Sequence, residues 1–159
     1  MIQQLIHSWE RRKSLRKFAS NIPTGLHPLS AFHTAALILD FQEMDWEKAK
    51  IIAEDFFGKR GIKVNFYYND FASLNWYGRL KSSKTNPNGI CDEDLFISLM
   101  DSDEYFVRFA AVSSRAITKV GRIQLPGDIF DIVVKGPGEA ECSQSDTLGT
   151  VIEMLSLIK

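Results

Sequence analysis

The chain lacks any apolar run approaching the roughly 18–20 residues that a membrane-spanning helix needs. It has only two cysteines, Cys91 and Cys142, and neither has a second cysteine or a histidine close by in sequence. That spacing carries neither a zinc site nor a disulfide framework and reads as two buried or incidental thiols. It has no surplus of charge either. With 19 basic and 20 acidic side chains the net charge is −1, which gives no global attraction to nucleic acid or to an anionic membrane. No secretory leader is expected: in MIQQLIHSWERRK the charges follow a short apolar segment, the reverse of a signal peptide, and no small-residue cleavage site comes after them. The expectation is a cytoplasmic chain with no transmembrane segment. No internal repeat or low-complexity tract is visible.

What is present is enough apolar material for one core. The chain has 159 residues, 45% of them hydrophobic and 25% charged, which suits a single domain and excludes disordered or fibrous classes. The charge is unevenly placed. Residues 1–20 hold Arg11, Arg12, Lys13, Arg16 and Lys17 against Glu10 alone, so a segment of +4 precedes a body of −5.

Residues 2–18 contain no glycine or proline and are predicted helical, with Ile2, Leu5, Ile6 and Trp9 on one face and Arg12, Lys13 and Arg16 continuing it. Leu15 and Phe18 point roughly the other way. We expect a basic amphipathic helix over residues 1–20, a linker over 21–33 marked by two prolines and a glycine, and an α/β domain over 34–159. TAALILDF (34–41) is a continuous apolar run, as in a strand covered on both faces. A helix capped by Asp45 then buries Trp46, Ala49, Ile52, Ala53, Phe56 and Phe57, stops at GKRG, and leads to the strand IKVNFYY (62–68). Strand, helix and strand joined this closely make a parallel, right-handed unit.

Residues 69–94 read as a long irregular connection. Beyond them come strands at 95–100, 116–121 and 129–134, a helix reaching about residue 113 with Asp101, Ser102 or Asp103 as its cap, and a final helix with Leu148, Val151, Ile152, Leu155 and Ile158 on one stripe. The expected fold class is α/β, a single Rossmann-like three-layer domain with a mostly parallel sheet of about five strands.

Ligands in such sheets bind outside the carboxyl ends of the strands. The first joint, LDFQEMDWE, is acidic and free of glycine, so it cannot cradle a pyrophosphate. Asp40, Asp70, Asp101 and Asp103 sit at or just past predicted strand ends, where carboxylates could converge on Mg²⁺. The commoner reading makes Asp45, Asp101 and Asp103 helix caps and leaves Asp40 and Asp70 solvated. In VVKGPGEA a proline without an N–H stands where a phosphate loop needs donors, and Gly136-Pro137-Gly138 reads as a turn. Lys135 stands where phospho-acceptor receiver domains carry a lysine at the end of the last strand, but the first strand here ends in Asp-Phe and not in a pair of acids. Its three histidines, His7, His27 and His33, all precede the first strand, and no serine or cysteine lies in a nucleophile motif. No catalytic residue, cofactor or metal is therefore assigned.

DLFISLMDSDEYFVRFAAVSSRAITKVGR, followed by IFDIVVK and a final amphipathic helix, resembles a family of small uncharacterised cytoplasmic proteins of Bacteroidetes-type bacteria. The basic N-terminal helix and HTAALILDFQEMDWEKAKIIAEDFFGKRGIKV fit the same family. A looser likeness links DLFISL…AAVSSRAITKVGR to the N-terminal Rossmann-like half of heptosyltransferase-type glycosyltransferases. These resemblances imply an α/β fold and a cytoplasmic compartment, and they carry no catalytic residue over.

The leading expectation is a non-catalytic binding or adaptor domain. It would contact a macromolecular partner, a protein rather than nucleic acid, partly through Trp9, Arg11, Arg12, Lys13, Arg16 and Lys17. The commonest arrangement for such a helix is packing on the domain through Leu5, Ile6 and Trp9 with its basic end solvated. Two alternatives stand beside it: a Mg²⁺- or phosphorylated-ligand-dependent enzyme or sensor using Asp40, Asp70, Asp101 and Lys135, and nucleic-acid or ribosome association through the basic arm. Self-association into a homo-oligomer stays open.

Overall fold

The computed structural model describes residues 2–75, 78–83, 86, 88–135 and 142–159. They form α1 (Ile2–Phe18), β1 (Thr34–Leu39), α2 (Trp46–Gly58), β2 (Lys63–Tyr68), β3 (Leu95–Ser98), α3 (Tyr105–Ser113), β4 (Thr118–Gly121), β5 (Ile132–Val133) and α4 (Gln144–Leu157). The five strands are all parallel and lie in the order β2-β1-β3-β4-β5. This is one α/β domain of the expected class with a helix in front of it. Among the described residues no helix is long and apolar enough to cross a membrane.

β1 is an inner strand of the sheet, between the edge strand β2 and the central β3. Leu37 lies beside Phe66 of β2 on one side and Ile97 of β3 on the other. Ala35 to Leu39 are all buried, which is why the run is continuously apolar and does not alternate. Its odd-numbered side chains, Ala35, Leu37 and Leu39, join Ala49, Ala53 and Phe57 of α2 and Leu148, Val151 and Leu155 of α4. The even-numbered Ala36 and Ile38 face the opposite way and join Phe106, Val107 and Ala110 of α3. Burying an aliphatic or phenyl side chain of this size stabilises by roughly 1.5–3 kcal/mol, so these two layers hold the sheet between them.

The ends of the elements follow local rules in some places and depart from them in others. α2 closes with Gly61 at a positive φ of 70°, with Ile62 N–H bonding the Phe57 carbonyl at 3.0 Å and Gly61 N–H the Gly58 carbonyl at 3.1 Å. The expected caps of α3 are not made: Glu104 holds the cap position without a side-chain bond. Asp103 instead pairs with Arg108 at 3.1 Å near the surface. Strands β3, β4 and β5 are shorter than their apolar runs. β4 and β5 are joined by no helix. Gln124 braces the connection by accepting from Phe130 N–H at 2.9 Å and donating to the Phe130 carbonyl at 3.0 Å.

Residues 21–33 are a strap and not a loose linker. Gly25 N–H bonds the Ile117 carbonyl at 2.9 Å, Thr24 Oγ1 donates to Asp131 Oδ1 at 3.0 Å, and Thr118 Oγ1 donates to the Gly25 carbonyl at 2.6 Å. The crossover from β2 to β3 holds a short 3₁₀ turn (Phe71–Ser73) and one antiparallel bridge, Leu74 to Leu80, but no α-helix among its described residues. The Gly136-Pro137-Gly138 turn lies outside the described residues.

Candidate functional site

In this strand order the chain winds from β1 to one side and then, from β3 on, to the other, and the crevice at the carboxyl ends of β1 and β3 is where a doubly wound fold binds ligands. The β1–α2 joint fills it with carboxylates that serve the last helix. The first turn of α4 has backbone donors with no partner inside the helix. Gln144 N–H donates to Glu43 Oε2 at 3.2 Å, Ser145 N–H to Asp45 Oδ2 at 2.8 Å, and Asp146 N–H to Ser143 Oγ at 3.2 Å. The buried Gln144 side chain clasps the backbone of Asp40, donating to its carbonyl at 2.9 Å and accepting from its N–H at 3.1 Å. The Asp40 side chain accepts from Gln42 N–H at 3.0 Å and from Asn69 Nδ2 at 3.2 Å.

Arg122, from the segment after β4, closes the cluster. Its guanidinium pairs with Glu43 at 3.4 Å and donates to the carbonyls of Leu99 at 3.1 Å and Cys142 at 2.7 Å. Burial raises the Glu43 carboxyl above its ordinary value, and Arg122 with the Gln144 N–H offsets this only in part. Burial pushes Asp45 upward too, but the bonds from Ser145, Ser143 and Gln144 outweigh it and hold Asp45 below the usual carboxylate range. An α-helix N-terminus is an anion site when it is vacant. Here the protein's own acids take the donors, and their charge opposes a phosphate.

Of the strand-end candidates, Asp40 is engaged as above, and Asp70 accepts from Ser73 Oγ at the start of the 3₁₀ turn. Asp101 and Lys135 are exposed. No group of three or more His, Cys, Asp or Glu side chains among the described residues is placed to hold a metal ion. Asp45 does cap a helix, as expected of its residue type, but the helix is α4 and not the one that follows it in sequence. Gln144, Arg122 and Glu43 carry no signal in the sequence, because the side-chain bonds that join them to the cluster are distant along the chain.

The N-terminal helix presents the larger surprise. α1 packs on α3 through its second half, with Ser14 buried and Phe18 meeting Phe109 edge to face at 6.0 Å. Arg79, itself buried, lays its guanidinium 4.4 Å from the Phe18 ring centre and 4.2 Å from that of Phe109. Arg11 lies 4.9 Å over the Tyr105 ring. Leu5, Ile6 and Trp9 do not pack on the domain. They are 68%, 49% and 60% exposed, and Ile2 is exposed with them. The expected docking face is therefore reversed. The physical reason is the wall that α3 offers: Phe109 and Tyr105 match Phe18 and Arg11, which lie on the opposite side of α1 from Trp9. Arg12, Lys13, Arg16 and Lys17 are exposed on the outer face, with Lys13 Nζ 4.8 Å from the Trp9 ring centre. Trp9, Lys13, Arg16 and Lys17 line a shallow groove of about 500 Å³.

Comparison of the chain with protein-family models, with curated proteins and with solved structures finds no match.

Proposed function

We propose that this domain is a non-catalytic binding module that captures a protein partner through the outer face of α1. The observation that carries the reading is the exposed stripe running from Ile2, Leu5, Ile6 and Trp9 into Arg12, Lys13, Arg16 and Lys17. An exposed apolar cluster with a cationic rim suits a partner segment whose own apolar side chains are followed by acidic ones. A phosphate backbone would use the cations and leave four large apolar side chains in water, so the stripe favours protein over nucleic acid. The self-capped strand ends support the non-catalytic part of the reading, since Asp40 and its neighbours already have structural partners.

The test is crosslinking and co-purification with the intact chain against a Leu5→Glu/Trp9→Glu variant and an Arg12→Glu/Lys13→Glu/Arg16→Glu variant. Both sets should lose the same partner while the melting temperature stays put. A partner retained by both variants sinks the reading. Loss in the charge variant alone, with steep salt dependence, would transfer it to nucleic acid.

A further inference from the structure

A doubly wound sheet carries a helix between most neighbouring parallel strands, yet the crossover from β2 to β3 supplies none among its described residues. On the face of β2 that bears Asn65 and Tyr67, the layer is made by irregular chain. The two leave a cavity of about 630 Å³, in the size range of small-molecule sites.

Glu93, just before β3, borders that cavity and is only 2% exposed. Its Oε1 accepts from Asn65 Nδ2 at 3.1 Å and from the Tyr67 hydroxyl in a short bond. Its other oxygen, Oε2, is buried with no hydrogen-bond partner among the described residues. Burial, together with the neighbouring Cys91 and Glu93, pushes the Tyr67 phenol above its usual range, so Tyr67 stays a neutral donor to Oε1 and leaves Oε2 unmatched. An acceptor buried and unsatisfied is costly and rare. Lys63 and Lys81 also line the cavity, but both are exposed and neither bonds Glu93.

We infer that this cavity is a binding site for a small organic cation whose ammonium or guanidinium N–H donates to Glu93 Oε2. An ammonium or guanidinium N–H would give the unmatched oxygen a charge-assisted bond, and the cavity exceeds what a lone water fills. Asp92, an exposed carboxylate on the same lining, adds attraction at the mouth. The inference is independent of α1 and stands or falls without the partner-binding reading.

The experiment is an NMR titration of the full chain with n-butylammonium and, separately, methylguanidinium, read at the Asn65 side-chain amide and the Glu93 backbone amide. Tetramethylammonium serves as a cation without N–H. One of the two donors should bind saturably with a dissociation constant on the order of millimolar, as expected for so few heavy atoms. Tetramethylammonium should bind at least tenfold more weakly. Glu93→Gln, which keeps the shape and the bonds at Oε1, should weaken binding at least tenfold. Ser82→Trp, at an exposed lining position away from Glu93, should block the cavity even if Glu93→Gln fails to fold. The inference is overturned if neither donor saturates, if tetramethylammonium binds as well, or if both variants bind like the parent.

Discussion

Replacing Asp45 with alanine tests whether the acids of the first joint are structural. Asp45 makes no capping bond to its own helix, so the substitution acts on α4. It removes the charge-assisted bond from Ser145 N–H at 2.8 Å, the weaker interactions with the Ser143, Ser145 and Gln144 side chains, and one negative charge at the start of a 14-residue helix. Caps of this type contribute about 0.5–2 kcal/mol, and the half-buried site places Asp45 near the middle, at about 1–1.5 kcal/mol. For a domain of this length that is a fall of roughly 3–6 °C in Tm.

The pH dependence gives a second handle. The folded-state pKa of Asp45 lies below its ordinary value of 3.8, so its contribution is complete above that value and is lost as the pH falls through the folded pKa. Urea titrations of parent and Asp45→Ala at pH 7 and at pH 2.5 should show a gap that closes in acid. If the acids formed a metal site instead, their mutual repulsion in the metal-free protein would be relieved, and Asp45→Ala would stabilise. A rise in Tm at pH 7, or a gap that persists unchanged at pH 2.5, refutes the reasoning.

Other expectations follow from the same coordinates. In Gly121→Ala the new Cβ would lie 2.3 Å from Cε2 of the buried Phe130 ring. Overpacking of this kind costs about 1–3 kcal/mol, and Phe130→Leu in the same chain should recover part of it in a double-mutant cycle by urea denaturation. Burial pushes the Lys119 ammonium down to about 8, against the pull of Asp131, while its Nζ donates to the Ala111 carbonyl. The unfolded chain therefore binds the extra proton between about pH 8 and 10.5, so parent stability relative to Lys119→Met should rise with pH across that window; a flat difference would contradict the burial. Trp9→Glu should leave stability within about 0.5 kcal/mol of the parent in thermal melts, since an exposed side chain loses no packing, and a larger loss would mean that Trp9 is covered.

The legible parts of this fold were those whose signal is local. TAALIL reads as a doubly covered strand because both its faces meet helices. Ala49, Ala53 and Phe57 recur at helical spacing because one side of α2 meets the sheet. β5 is shorter than its sequence suggests: IFDIVV looks like six strand residues, but Phe130 is held by Gln124, and Asp131 bonds Lys119 through both its N–H and its carboxylate. The docking face of α1 was misread because the helix carries apolar side chains on both sides. Which side is buried depends on the rings that α3 presents, ninety residues away. The acids of the first joint suffered the same fate, since Asp45 precedes one helix in sequence and meets another in space. Glu93 has no local signal: CDEDLF has the composition of a charged loop, and nothing in it marks one acid of the three as buried.

The clasp between Asp40, Glu43, Asp45 and the first turn of α4 joins positions about a hundred residues apart. During synthesis the β1–α2–β2 unit can form early, but its outer layer stays incomplete until Leu148, Val151 and Leu155 arrive. Until then one apolar side of β1 and of α2 is open to water, and the acids beside it lack the donors they will later meet. A nascent or truncated chain without α4 would thus expose a sticky surface of the kind that chaperones bind. Stops that remove Leu148, Val151 and Leu155 with α4 should be punished by aggregation and not by a graded loss of stability.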